Sequence, residues 1–168
     1  MDRDLLLKNA VSTVRTIKAF DVPVVHSTVS VATGRGQPTL PDLASLLTED
    51  KPHDRTTVNS WEDIEFLDAV HATGRRKLII CALWTEICMA FTALDALREG
   101  YEVYPVVDAI GGTSPVAHQA GLDRVIQAGA QPTSWVSLAC ELQRDWARQD
   151  TVDAVIQIVL TDRLLKEQ

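Results

Sequence analysis

Leu5, Leu6, Ala10, Val14, Ile17 and Phe20 recur at helical spacing, so residues 3–20 predict an amphipathic helix with these side chains as its apolar stripe. The run Pro23-Val24-Val25-His26-Ser27-Thr28-Val29 is short, β-branched and nearly continuous, as a strand covered on both faces should be. Residues 32–40 hold three turn formers and read as a loop, followed by a short helix at 41–47. Ser60-Trp61-Glu62-Asp63 has capping-box spacing, and Ile64, Leu67, Ala69 and Val70 carry a helix on to a stop at Gly74. Lys77 to Leu83 is the next strand, a helix over about 87–98 ends at Gly100, and Tyr101 to Val107 forms a third strand. Ser114-Pro115 places a good cap before a proline at the first helical position and opens a helix over 115–128. Gln131 to Trp135 is a weak strand, with helices at about 137–148 and 152–166.

Short apolar strands alternating with helices of 10 to 15 residues predict an α/β fold, a parallel sheet covered on both faces. No internal repeat or linker divides the chain. The best break is Asp150, which separates a domain over 1–150 from a C-terminal helix over 151–168. Val152, Val155, Ile156, Val159, Leu160 and Leu164 in that helix need a surface to cover. Docking within the chain and contact with another subunit both supply one.

Composition narrows the function classes. The 168 residues carry 16 Lys+Arg against 23 Asp+Glu, a net charge of −7, with 46% hydrophobic residues. That suits one globular core and argues against a nucleic-acid or acidic-membrane partner, either of which needs a basic face. Arg75-Arg76-Lys77 is the only basic cluster, and no apolar stretch approaches the ~20 residues that cross a bilayer. Cys81, Cys88 and Cys140 are odd in number and form no CxxC pair, which fits a reducing cytoplasm. His26, His53, His71 and His118 are isolated and show no metal-ligand spacing. Thr33-Gly34-Arg35-Gly36 lacks the Lys-Ser/Thr ending of a phosphate loop and reads as a turn.

In open α/β sheets ligands bind beyond the carboxyl ends of the strands. There stands Leu83-Trp84-Thr85-Glu86-Ile87-Cys88. A thiol in the first turn of a helix faces unpaired N–H groups and the positive dipole end, which favour thiolate. The same groups could receive the oxygen of a tetrahedral intermediate. Position alone leaves Cys88 as either a nucleophile or a small buried hydrophobe. Cys81 in a strand and Cys140 in an apolar helical stretch read as core.

Thr85-Glu86-Ile87-Cys88-Met89-Ala90-Phe91, then Ala93 to Val103 and Val107-Asp108-Ala109, resembles the signature block of isochorismatase-like cysteine hydrolases. Asp54 to Asp63, Gln127 to Gln131 and Ala139 to Trp146 are similar to their YcaC-type branch, so the likeness runs through about 5–148. The resemblance implies a three-layer αβα sandwich with a Rossmann-like parallel sheet. It also implies a cofactor-free hydrolase of a small amide or related C–N bond, working through a thioester. By the same likeness Cys88 is the nucleophile and Arg55 its basic companion, here an electrostatic and orienting group. For Arg55 a surface ion pair with Asp54 is the competing expectation. A cis peptide at Leu83–Trp84 is implied, aiming the Trp84 N–H beside that of Cys88 as an oxyanion hole. Trp84 would narrow the pocket or simply pack in the core, and Asn59, Trp61 and Thr85 would line the substrate pocket.

One part of the pattern is absent. In these enzymes the catalytic Asp follows a first strand that precedes the helix resembling residues 3–20, and this sequence begins at that helix. The first strand is therefore missing from the expected sheet, and no residue matches the family's Asp. The strand at 23–29 must then pair with 77–83 directly or leave a gap. The partners implied are a small-molecule substrate and further copies of the same chain. The alternative is a non-catalytic or truncated family member with a structural or assembly role.

Overall fold

The computed structural model describes residues 2–164, with side chains through residue 160. Helix α1 (Arg3–Ala19) is capped by the Asp2 carboxylate, which accepts from the N–H groups of Asp4 and Leu5. Strand β1 (Ser27–Val29) leads through a loop and the short α2 (Pro41–Ala44) to β2 (His53–Arg55). A 3-10 turn (Ser60–Glu62) and α3 (Ile64–Ala72) precede β3 (Lys77–Ile80). Next come a π-helical turn (Thr85–Met89), α4 (Ala90–Arg98), β4 (Glu102–Pro105), α5 (Pro115–Gln127) and α6 (Trp135–Gln143). Helix α7 (Val152–Ile156) runs on as a π-helical stretch over Gln157–Leu164. The expected helix over 152–166 ends beyond the described residues, as does the side chain of Leu164.

Two cores lie on opposite sides of β3. Leu78, Ile80 and Ala82 pack against Phe66 and Val70 of α3, Met89 of the π-helical turn, Ala93 of α4, and Leu122 and Val125 of α5. Ile79 turns the other way, to Trp135, Leu138, Val155 and Ile158, where Ala10, Ile17 and Phe20 of α1 also pack. Strand alternation thus sends successive residues into separate helical layers, the αβα sandwich of a Rossmann-like fold.

The sheet is divided. β1 pairs with β2 in parallel, Ser27 opposite His53, and β3 pairs with β4 in parallel, Lys77 opposite Glu102. No ladder joins the two pairs among the described residues. Of the two expected outcomes for residues 23–29, a direct pairing with 77–83 does not form. With a single neighbour, β3 leaves Leu78, Ile79 and Ile80 only half-buried.

Several expectations need correction. The deeply buried face of α1 is polar, being Asn9, Ser12, Thr13 and Thr16, while the apolar stripe is half-buried and Leu5 is exposed. Small side chains allow close approach, and their polar atoms are satisfied locally. Thr13 Oγ1 donates to Asn9 O and Thr16 Oγ1 to Ser12 O, both at 2.8 Å, while Asn9 Nδ2 donates to Asp108 O at 2.9 Å. Ser60 does not cap α3; Asp63 does, accepting from Phe66 N–H at 2.9 Å. The strand at 131–135 reduces to a single bridge, Thr133 to Val106, because Ser134 already caps α6 and Trp135 is helical. α6 stops at Gln143, where Arg144 turns left-handed at φ 61°. Cys140 is exposed on α6, and Cys81 is accessible beside the free edge of β3, so neither is a sealed core residue.

α7 covers α1 and α6 with Val152, Val155, Ile158 and Val159 buried, leaving Ile156 and Leu160 partly exposed. No helix among the described residues is long and apolar enough to cross a membrane.

Candidate active site around the Cys88 turn

β3 ends in Cys81-Ala82-Leu83, and the Leu83–Trp84 peptide bond is cis. Trp84 opens the π-helical turn, and its carbonyl accepts from the N–H groups of both Ile87 and Met89 at 3.2 Å. Its own N–H has no acceptor among the described residues. Cys88 sits in this turn as a half-buried free thiol, directly before the fully buried Met89 and Ala90 anchor the chain in the core. Leu83 and Trp84 are 56% and 49% exposed, so Trp84 is not a core residue.

The turn is held from one side by the segment after β4. Thr85 N–H donates to Gly111 O at 2.8 Å, and Gly111 N–H to Ala82 O at 3.3 Å. Thr85 itself is fully buried, with Oγ1 2.7 Å from His118 Nδ1 of α5. One oxygen of Glu86 accepts from both the N–H and the hydroxyl of Thr113, while the other, Oε2, is buried without a partner. Burial pushes the Glu86 carboxyl up, but the Thr113 bonds outweigh it and hold it below the usual carboxylate value. Burial holds His118 below its ordinary value, with the Glu86 charge opposing.

Two glycines make this contact possible. A Cβ on Gly121 would lie 2.8 Å from Glu86 Cα, and one on Gly112 would lie 2.7 Å from His118 Cβ and 2.9 Å from Glu86 Oε2. Neither Glu86 nor His118 was singled out from the sequence, where an isolated histidine and one helical glutamate carry no signal. The short spacing from Gly111 to His118 was the available clue.

Arg55 ends β2 and is 5% exposed. Nε donates to Ser27 Oγ at 2.9 Å and Nη1 to the carbonyls of Thr57 and, at 2.9 Å, Val58. It does not pair with Asp54, whose carboxylate accepts from Ala32 N–H, Val31 N–H and Thr28 Oγ1. Those bonds, the Ala32 and Val31 amides foremost, draw the Asp54 carboxyl below its usual value.

Asn59 and Trp61 point into α4. Asn59 Nδ2 donates to Asp95 at 2.6 Å, and its Oδ1 accepts from Trp61 N–H at 3.1 Å. The Trp61 indole donates to Glu99 at 2.7 Å and packs edge-on against Tyr101. Ser60 Oγ lies 2.6 Å from Thr92 Oγ1, one helical turn beyond Cys88. The segment after Arg55 is thereby fastened to the helix that carries the thiol. A depression of about 640 Å³ lined by His26, His53, Asp54 and Glu65 includes none of Cys88, Arg55 or Trp84. No group of three or more His, Cys, Asp or Glu among the described residues could hold a metal ion.

Protein surroundings push the Cys81 thiol up to about 12, against a hydrogen bond with Thr13 that works the other way. Asp108, which also follows a strand, is engaged structurally: its carboxylate accepts from Trp135 N–H at 2.9 Å and its carbonyl holds Asn9.

The Isochorismatase domain family matches residues 1–137. The chain belongs to that family. YcaC of Escherichia coli K12, named a probable hydrolase, is 40% identical over 131 residues, covering 77% of this chain and 62% of its own length. This isochorismatase-family chain thus spans about three-fifths of that relative. Among solved structures, the E. coli YcaC gene product, described as an octameric hydrolase of unknown specificity, superposes with a TM-score of 0.89 at 33% identity, covering 96% of this chain and 80% of that one. YcaC from Pseudomonas aeruginosa, with hexane-2,5-diol and covalent acrylamide, gives 0.88 at 33% identity, covering 94% and 77%.

Proposed function

We propose that this chain is a cysteine hydrolase of the isochorismatase family, acting on a small amide or related C–N bond. The observation that carries the reading is the half-buried Cys88 thiol in a helix-opening turn with the Trp84 N–H unacquitted of any acceptor among the described residues. In the proposed reaction the Cys88 sulfur forms a bond to the substrate carbonyl carbon. The Trp84 and Cys88 N–H groups take the developing oxygen charge. The C–N bond breaks, the amine leaves with a proton, and water hydrolyses the thioester to a carboxylate and the free thiol. Arg55 supports charge from the end of β2. The relatives named a hydrolase, and one solved with covalent acrylamide, favour this chemistry. Assembly into a homo-oligomer is part of the proposal, since the E. coli neighbour is described as octameric. So is residence in the cytoplasm, given three unpaired cysteines.

A second reading, a non-catalytic member with a structural or assembly role, is favoured by the sheet being divided into two strand pairs among the described residues. Iodoacetamide labelling read by peptide mass spectrometry tests the first reading. Cys88 is expected to react much faster than Cys81 or the exposed Cys140; equal rates would remove it as an activated nucleophile. Turnover on a panel of small amides that vanishes in Cys88→Ala would eliminate the second.

A further inference from the structure

The hydroxyl of Thr85 is sealed, and a sealed hydroxyl proton needs an acceptor. Its one partner among the described residues is His118 Nδ1, at 2.7 Å. Thr85 therefore donates, Nδ1 accepts, and the imidazole proton sits on Nε2. This bond ties the first residue of the Cys88 turn to α5, on the side where Gly121 brings the two backbones together. Protonation at Nδ1 would turn the acceptor into a second donor and leave the Thr85 proton facing it with no acceptor. Glu86, next to Thr85, supplies the other half of the arrangement. One of its oxygens is taken by Thr113, while Oε2 is sealed without a hydrogen-bond partner, and a Cβ on Gly112 would meet both that oxygen and the Cβ of His118. A glutamine carbonyl would hold Thr113 equally well. What the carboxylate alone offers is a charge beside the imidazole, in place to stabilise it once it is protonated. Glu86 favours that charge, and the chain's amino-terminal ammonium opposes it. Residues 111–114 carry no ionisable side chain, Asp123 of α5 is bonded to Gln119, and Arg124 lies over Phe91 of α4, where Asp95 and Arg98 pair with each other.

We propose that the Thr85–His118 bond is a proton-operated latch on the Cys88 turn, shut while the imidazole is neutral and opened when Nδ1 takes up a proton, with Glu86 facing the new charge. Opening releases Thr85 from α5 but leaves Glu86 bound to Thr113, so the turn loosens without parting from the segment after β4. Burial, which holds His118 below its ordinary value, places the change on the acid side of neutral. The latch governs how firmly the thiol-bearing turn is held, and it stands whether or not Cys88 is a nucleophile.

Two measurements on the full chain test it. Nuclear magnetic resonance follows the His118 ring from about pH 8 to about pH 4.5. Hydrogen exchange, corrected for the intrinsic rate at each pH, follows the amides of Thr85, Ile87 and Met89, which bond to the Gly111 and Trp84 carbonyls. The ring is expected to start as the Nε2–H tautomer. As it titrates, the protection of those three amides should fall at least ~10-fold while that of Val103 in β4 holds. Glu86→Gln keeps an acceptor for Thr113 and should move both changes to lower pH together, and His118→Gln should leave the protection independent of pH. Protection that stays level across the ring titration, a ring that starts as the Nδ1–H tautomer, or a titration that Glu86→Gln leaves in place would each overturn the latch. Should His118→Gln not fold, the unaltered chain and Glu86→Gln decide. No turnover is read, so the outcome is separate from that of the cysteine-hydrolase reading.

Discussion

His118 and Glu86 show how a site can be built from residues with opposite needs. The imidazole accepts or donates to buried Thr85 and is held below its ordinary value by burial, so the folded protein favours its neutral form. A histidine lowered in this way contributes stability that is fully present above its unfolded pKa of about 6.5 and is lost as pH falls through the folded value. His118→Asn keeps a polar atom near Thr85 but cannot titrate. The Tm advantage of the unaltered protein over this variant is expected to be greatest near pH 8 and to shrink toward pH 5. A gap that stays constant across that range would show that His118 acts by shape alone. Cys88 stood out in the sequence through the resemblance of Thr85 to Phe91 to a family signature block, because its place between a strand and a helix by itself left a buried hydrophobe equally open. The bonds of Arg55 were not legible: Ser27 reaches it only through the parallel pairing of β1 with β2, and the Thr57 and Val58 carbonyls only through the local fold of the chain just after β2.

At the scale of elements, α5 is pressed against the Cys88 turn through Gly121, where a Cβ would meet the backbone of Glu86 at 2.8 to 2.9 Å. In an ordinary helix interior Gly→Ala stabilises by up to ~1 kcal/mol. Here backbone, not a yielding side chain, blocks the methyl group, so Gly121→Ala is expected to destabilise by about 1–3 kcal/mol in urea unfolding. The reversed sign is the diagnostic. Helix existence was readable from periodicity throughout, and the Ser114-Pro115 start is borne out, with Ser114 accepting from Ala117 N–H. The orientation of α1 was not readable, because hydrophobic spacing ranks Ala10 and Ile17 above Ser12 and Thr16. Hydroxyls that bond to carbonyls one turn back cost little to bury, and periodicity cannot see that. β2 escaped for a related reason: His53-Asp54-Arg55 has no apolar pattern and becomes a strand only because β1 offers it a ladder.

At the scale of the whole molecule, the parallel α/β plan followed from alternation, yet the two strand pairs differ in depth. β4 contributes the fully buried Val103 to a core shared by α3, α4 and α5, whereas β1 and β2 contribute three residues each, mostly half-exposed. Native-state hydrogen exchange is expected to release the amides of Thr28 and Val29 well before those of Ile79 and Ile80, because opening the smaller pair disturbs less packing. Simultaneous exchange would mean that the helices couple the pairs as strongly as a continuous ladder would.

The free margin of β3 carries a cost during handling. Among the described residues β3 has β4 as its one ladder partner, and its other margin, flanked by Leu78, Ile79 and Ile80, is a template on which any extended chain can grow, including a half-unfolded sibling. Concentrated solutions would then thicken by strand-on-strand accretion, and a charged side chain introduced along that margin would be the remedy.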